Sequence, residues 1–331
     1  MNIQKIAKGF RSWLPFWTIV ALVLGFVYGL LLPQGASILK ALIMPSSFIL
    51  IYMMCIPLRI EDMVDSIKYP KELLWGLLLS LVLAPLLMWP GARLLVSNHP
   101  EVLAGLLLAG VVPPGGMITF WTGILDADIS LAMILQIVTF VVSIFWIPLS
   151  MQVLAGAYVP IRYLPMLKNL MIIIVGPLIL GVITRKIITS KKGEKGIVKG
   201  IPYFQLISGI FALLLVFIAT GVKAKQIMAH PGIIYLPALA ALIYYLVTFW
   251  LAGIINFKVL KFSYEKSIPL IFGTATKNLS IAMALAVTTF GPQALLGVVA
   301  CSLFQMPLAS LFYKWYLKYK IETTEETVME S

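Results

Sequence analysis

The sequence has few charged residues for its length. Charged side chains make up 11% of the 331 residues, whereas about a quarter is usual in soluble globular proteins. Hydrophobic residues make up 61% of the chain. Because so few polar groups cannot cover a water-exposed surface, this composition argues against a soluble globular protein and predicts a polytopic membrane protein.

Cysteine and histidine are also scarce, with two residues of each type. Cys55 and Cys301 fall inside apolar stretches, which indicates buried thiols rather than a disulfide framework or a zinc site. His99 and His230 each precede a proline and have no neighbouring Cys or paired carboxylate. No nucleophile elbow or phosphate-binding loop occurs. We therefore predict no catalytic residue, no metal site and no cofactor, and an intramembrane enzyme is the weaker alternative.

What the sequence does contain is a series of long apolar windows. About 20 apolar residues suffice to cross a hydrocarbon core about 30 Å thick. We predict an all-α integral membrane protein with one membrane domain over residues 1–320 and a short acidic tail at 321–331 that is disordered and cytoplasmic. The longest polar loop is 188–200. The ten candidate spans are 14–32, 38–57, 72–96, 102–124, 129–157, 166–184, 203–221, 231–256, 267–290 and 293–316.

The basic residues indicate the orientation of these spans. The net charge is +12, and in membrane proteins Lys and Arg collect in cytoplasmic loops, so the charge does not point to a nucleic-acid partner. If the N-terminus is cytoplasmic, 18 of the 25 basic residues fall in inside segments and 6 in outside segments, with Lys277 inside a span. We predict a multi-pass protein of the cell (inner or plasma) membrane, surrounded by lipid, with both termini cytoplasmic.

The spans divide into five and five across an outward loop near residues 157–164. An odd number in each half turns the second half upside down, so we predict two inverted five-helix repeats over about 1–158 and 164–320. The fourth span reads AGVVPPGGMITFWTG and the ninth reads IFGTATKNLSIAM. Both are interrupted near the middle, and matching interruptions in two halves are typical of a transporter binding site.

The interruptions supply the candidate site. Pro and Gly at 113–116 break a helix, and Lys277 lies roughly 16 Å beyond Lys266 and roughly 21 Å before Gly291 if the chain between is helical. An ammonium at mid-membrane costs about 2.5 to 3.5 kcal/mol and usually marks a substrate or ion pathway. Ordinary kinks and a lysine that reaches the interface are the alternatives. The predicted binding residues are Pro113, Pro114, Gly115, Gly116, Thr119, Gly273, Thr274, Thr276, Lys277, Asn278 and Ser280, with Ser80, Gln136 and Thr139 as possible lining residues.

Two acidic residues stand between the fourth and fifth spans. Asp126 and Asp128 are two positions apart, and side chains at that spacing do not share a helical face. We predict that Asp128 caps the N-terminus of the fifth span.

The chain resembles the bile acid:sodium symporter superfamily in the two interrupted spans, and the resemblance covers essentially all ten spans. PPGGMITFWTGILDADIS is similar to the superfamily's fourth span, while ALLGVVACSLFQMPLASLFYKW and APLLMW are most similar to its arsenite efflux permease branch. The resemblance implies a panel domain and a core domain in which discontinuous helices 4 and 9 cross at the membrane midplane.

The chain departs from that pattern at the ion and metalloid positions. Gly273 and Lys277 stand where sodium-coupled members have Glu and Gln ligands, and Ser80 stands where a third-span Gln is expected. An ammonium competes with sodium for the same space, so we expect the family-type sodium site to be lost. Relative to arsenite permeases, Pro114 replaces a soft Cys ligand and Ser280 replaces a Glu.

Together these features predict a secondary active transporter of a small organic anion that works by alternating access. Half-helix N-termini and Lys277 favour negative charge, and transport would be proton-coupled or uniport. The alternatives are an arsenite or oxyanion efflux permease and, from another class, a transporter-like membrane sensor. The substrate's identity, the direction of transport and the choice between monomer and homodimer stay open.

Overall fold

The computed structural model describes residues 14–58, 68–161 and 163–330, and the regular secondary structure of these ranges is helical. Lys5, Lys8, Arg11, Arg59 and Arg162, which contribute to the charge bias, lie outside them. The helices in chain order are α1 (Leu14–Leu31), α2 (Pro33–Cys55), α3 (Pro70–Val96), α4 (Pro100–Val111), α5 (Met117–Ile124), α6 (Ile129–Ala155), α7 (Tyr163–Ala229), α8 (Gly232–Val259), α9 (Tyr264–Ala275), α10 (Leu279–Phe290) and α11 (Pro292–Glu330).

Six of the described helices, α2, α3, α6, α7, α8 and α11, are long and apolar enough to cross a membrane. The prediction of an all-α membrane protein is confirmed. The fourth predicted span corresponds to α4 and α5, the ninth to α9 and α10, and both the sixth and seventh lie in α7. The count of ten spans and the inverted repeats stay predictions.

The polar segment 188–200 is helical rather than a loop, apart from a kink. Gly193 has φ +64° and ψ −176°, a conformation that only glycine adopts without strain. Arg185 is buried and its guanidinium donates to both carboxylate oxygens of Glu194 at 2.8 and 2.7 Å. The same guanidinium donates to the carbonyl of Pro57 at 3.2 Å. The kink is therefore tied to the chain just after α2.

The last helix also extends further than the sequence suggests. Residues 321–330, predicted to be disordered, continue α11 through Glu330. No Gly or Pro occurs after Pro307 to end the helix.

The ends of three helices are joined beside the turn that leads into α6. Asp128 accepts a hydrogen bond from the backbone of Leu131 at 3.0 Å, so its predicted role as N-cap is confirmed. The backbone N–H of Asp128 donates to the carbonyl of Glu265 at 3.1 Å, and Lys266 pairs with Glu72. The starts of α3, α6 and α9 thus meet at one end of the molecule.

The two histidines lie near each other in the turns before α4 and α8. Burial and the charge of nearby His230 lower the pKa of His99. These two turns therefore share one end of the molecule, as their predicted outward placement requires.

Candidate functional site

The two predicted interruptions meet in space. After α4 the chain becomes extended, with Val112 at φ −60° and ψ 152°, and after α9 Thr276 is extended at φ −92° and ψ 107°. Pro114 and Lys277 form an antiparallel bridge, and the N–H of Asn278 donates to the carbonyl of Pro113 at 2.9 Å. The interrupted helix pairs α4–α5 and α9–α10 are thus joined at their breaks.

Two half-helices begin at this junction. Gly116 precedes α5, and Asn278 caps α10 by accepting a hydrogen bond from the N–H of Ile281 at 3.3 Å. A Cβ on Gly115 would lie 3.4 Å from the Cα of Asn278, so the two backbones are in close contact. The N-termini of α5 and α10, each with a partial positive charge, therefore lie side by side.

Lys277 is buried at this junction, with only 2% of its surface exposed. Its ammonium donates to the carbonyl oxygen of Ser80 at 2.6 Å and to the hydroxyl of Ser80 at 2.8 Å. Among the described residues no carboxylate forms a salt bridge with it. The site therefore holds a buried lysine side chain that donates to two oxygen acceptors and has no carboxylate partner among those residues.

A local change of helix type makes Ser80 available. Residues Leu78–Leu83 of α3 form a π-helical segment, which disturbs the usual backbone hydrogen bonds and leaves carbonyls free for other donors. The carbonyl of Ser80 binds Lys277, and the carbonyl of Leu81 accepts a hydrogen bond from the indole of Trp146 at 2.7 Å. Sequence reasoning singled out Ser80 without the π-helical geometry that gives it this role.

The backbone of Lys277 is held by a residue that the sequence analysis did not include. Its N–H donates to Oε1 of Gln305 at 2.8 Å, and Nε2 of Gln305 donates to its carbonyl at 3.1 Å. The hydroxyl of Tyr245 donates to the same Oε1 at 3.1 Å. A polar residue within the apolar run CSLFQMPLAS is the signal that could have identified Gln305.

A cavity of about 600 Å³ adjoins the junction. Half of the predicted residues line it, namely Gly115, Gly116, Thr119, Gln136, Lys277, Asn278 and Ser280. The others, Pro113, Pro114, Gly273, Thr274, Thr276, Ser80 and Thr139, are not among its lining residues. Thr139 and Thr274 instead donate to carbonyls of their own helices at 2.6 and 2.7 Å, and Thr276, just after α9, donates to the carbonyl of Phe272 at 2.6 Å.

Most of the cavity wall is apolar or neutral, and much of it was missed from the sequence. Thr18, Gln205, Ser208, Ser302 and Gln305 add uncharged polar groups. Methionine is a flexible and polarisable residue that adapts to irregular shapes, but isolated methionines in apolar spans give no sequence signal. Those that line the cavity are Met53, Met54, Met117, Met133, Met283 and Met306. Neither Cys55 nor Cys301 is among the lining residues.

Comparison with known proteins shows which family the chain resembles over most of its length. The chain is 28% identical to the uncharacterized protein YbaS of Bacillus subtilis over 253 residues, which cover 76% of this chain and 81% of the relative. It is 27% identical to the arsenical-resistance protein Acr3 of Corynebacterium glutamicum over 91% of this chain and 87% of the relative. It is also 25% identical to an uncharacterized transporter of Synechocystis over 90% and 86%.

The family profile of the Sodium Bile acid symporter family matches residues 44–230, more than half of the chain. The match runs from within α2 to the end of α7 and includes the first of the two breaks. The members of this family and its Acr3 relatives are transporters rather than enzymes, and six of the described helices are long and apolar enough to cross a membrane. The chain is therefore a multi-pass membrane transporter that belongs to the Sodium Bile acid symporter family.

Proposed function

We propose that the protein is a secondary active transporter that carries a small organic anion by alternating access. The observation that carries this proposal is the cavity beside two helix breaks, where the N-termini of α5 and α10 meet next to the buried ammonium of Lys277. Helix N-termini attract anions, and a buried charge without a counter-ion is costly. An anionic group bound at the junction would offset that cost.

We propose that the chain forms ten spans in two inverted five-helix repeats, with panel and core domains and both termini in the cytoplasm. The breaks in the fourth and ninth spans would lie at the membrane midplane. Pro57, Leu58 and Ile201 line the cavity, and each is next to a segment predicted to be cytoplasmic. The structure would then be the inward-facing state, and rocking of one domain against the other would open the site outward.

We propose that the ammonium of Lys277 takes the place of the sodium ion. It binds Ser80, the residue at a position that the resemblance assigns to an ion ligand. A side-chain cation cannot leave the protein, so transport would need no sodium. Either Lys277 releases and takes up the coupled proton during the cycle, or it stays charged and the protein is a uniporter.

The cavity wall suggests what the substrate looks like. Because methionines and neutral polar groups line the cavity beside the junction, the substrate would carry an anionic group at the helix N-termini and an apolar body against the thioethers.

The deciding experiment measures uptake into proteoliposomes. A thermal-shift screen of the purified protein against carboxylates, sulfonates and oxyanions selects the radiolabelled probe. We expect wild-type uptake to follow a pH gradient without sodium, and Lys277→Gln and Lys277→Arg to lose that dependence. Stimulation of the wild type by sodium, or a Lys277→Arg protein that still follows the pH gradient, would refute proton coupling through Lys277.

The second candidate is an efflux carrier for arsenite or another oxyanion, which the similarity to the arsenical-resistance protein Acr3 favours. Against it, no cysteine lines the cavity, and a soft thiolate is a natural ligand for arsenic. Expression in an arsenite-sensitive host separates the two candidates. Protection from arsenite that is lost on replacing Cys55 or Cys301 would reverse their order.

A further inference from the structure

We propose that Gln305 is a positioning residue that fixes the backbone of Lys277, so that the ammonium is held against Ser80 at the junction of the two breaks. The role follows from the contacts of Gln305 itself and depends on the proposed function only for its consequence in transport. Nothing in the sequence pattern of the ninth span indicates it, because Gln305 lies in α11, 28 residues along the chain.

The need for such a residue arises from the geometry of the break. In the antiparallel bridge between Pro114 and Lys277, the neighbouring N–H of Asn278 donates across to Pro113. In this type of pair the bridged residue directs its own N–H and C=O toward the opposite edge. Lys277 is buried and not helical, so both groups require partners other than water.

Gln305 supplies a partner to each of the two groups, and the carbonyl of Lys277 also accepts a hydrogen bond from the N–H of Leu279 at 3.0 Å. Oε1 of Gln305 accepts from the N–H of Lys277, and its Nε2 donates to the carbonyl of the same residue. A side-chain amide carries a donor and an acceptor on one planar group, so Gln305 can bind the N–H and the C=O of one residue at the same time. Tyr245 donates to Oε1, and because that atom must accept two N–H or O–H groups, the orientation of the amide is fixed.

The break is consequently held from three directions. The carbonyl of Pro113 in the fourth-span break accepts a hydrogen bond from the ninth-span break. Gln305 of α11 binds the backbone of Lys277, and Ser80 of α3 binds its ammonium. Gln305 lines the cavity whereas Ser80 does not. With the backbone fixed, the side chain of Lys277 extends toward α3. Loss of the amide would let the ammonium leave Ser80, where it is placed for an anion at the helix N-termini, and become mobile and open to reagents.

The test measures the reactivity of Lys277 and needs no substrate. The purified protein is treated with the N-hydroxysuccinimide ester of acetic acid, and acetylation of each lysine is followed by peptide mass spectrometry. Gln305→Met removes both hydrogen bonds at similar volume, Gln305→Glu exchanges the amide for a carboxyl group that can carry a negative charge, and Tyr245→Phe removes only the supporting hydroxyl. Gln293→Met makes the same substitution at another buried glutamine of α11. Lys195 is exposed and serves as the internal reference.

We expect Gln305→Met to raise acetylation of Lys277 about tenfold or more relative to Lys195. The increase should be smaller in Gln305→Glu and Tyr245→Phe and absent in Gln293→Met. Unchanged reactivity in folded Gln305→Met, or an equal increase in Gln293→Met, overturns the proposal. If Gln305→Met does not fold, unchanged reactivity in both Gln305→Glu and Tyr245→Phe overturns it instead.

A transport measurement adds the functional consequence. For the probe chosen by thermal shift, Gln305→Met should raise KM in the wild-type background and have no further effect in Lys277→Met, because coupled residues are not additive. Additive effects would show that Gln305 does not act through Lys277. Absence of any transport would contradict the proposed function and leave the reactivity result to decide the role of Gln305.

Discussion

At the scale of single residues, the ammonium of Lys277 is the group in the site whose burial costs the most free energy. It is taken from water and is balanced by one residue, Ser80, through a carbonyl and a hydroxyl oxygen. Hydrogen bonds to charged groups contribute about 1.5 to 3 kcal/mol, more than neutral ones. Loss of the Ser80 hydroxyl should therefore reduce the stability of the protein more than loss of the hydroxyl of an ordinary buried serine.

This comparison can be made directly with Ser80→Ala. The variant removes the hydroxyl acceptor and keeps the carbonyl, so we expect a loss of about 1.5 to 3 kcal/mol of stability, measured as a lower thermal unfolding midpoint. Ser143→Ala is the matched control, because Ser143 is equally buried and donates only to the carbonyl of Phe140 in its own helix at 2.6 Å. An equal effect of both variants would show that the ammonium does not depend on Ser80.

At the scale of helices, the fourth-span break is supported by very close packing of α4 on α11. A Cβ on Gly105 would lie 1.7 Å from the carbonyl oxygen of Ala294, and one on Gly297 would lie 2.3 Å from that of Val102. Small residues at such contacts let helix backbones approach each other in a membrane. The same helix α11 carries Gln305, so this contact sets the distance between Gln305 and the break.

Gly105→Ala tests this contact. One methyl group cannot fit without moving backbone atoms, so we expect a loss of about 1 to 3 kcal/mol of stability, which is typical of overpacking, together with reduced transport. Gly91→Ala is the control, because its nearest neighbour, the Cβ of Ala240, is at 3.5 Å. Thermal unfolding of the two variants in the same detergent measures the difference, and a tolerated Gly105→Ala would contradict the close approach.

At the scale of the whole molecule, function depends on which ends of the helices face the cytoplasm. The segment on both sides of the kink at Gly193 contains five exposed lysines, namely Lys186, Lys191, Lys192, Lys195 and Lys199. Their number predicts that this end is cytoplasmic. The turns with His99 and His230 would then lie outside.

Cysteine labelling with a membrane-impermeant maleimide tests this orientation. In cells, His99→Cys should react from the outside, and Lys195→Cys should react only after the membrane is opened. The native Cys55 and Cys301 are buried and should stay unlabelled, which the wild type controls. Labelling of position 195 but not of position 99 in intact cells would invert the whole topology.

The sequence alone determined the class of the protein and the location of the breaks. Apolar windows, scarce charge and the Pro-Gly and Lys interruptions are local properties of the chain, and each has a direct physical meaning in a membrane. Hence the all-α membrane fold, the cap at Asp128 and the family membership were predicted correctly. The kinked helix at 188–200 and the helical end of α11 were not, because polar helices lack the apolar pattern on which the predictions relied.

Only the tertiary structure decided what surrounds Lys277. Its side chain contacts Ser80, which is 197 residues away, and its backbone contacts Gln305, which is 28 residues away. The cavity wall combines methionines from α2, α5, α6, α10 and α11. None of these pairings follows from local periodicity, since each depends on how separate helices pack and on a π-helical turn that frees one carbonyl. The sequence predicts that the charged residue Lys277 lies within the membrane, and the packing of the helices determines which atoms form hydrogen bonds with it.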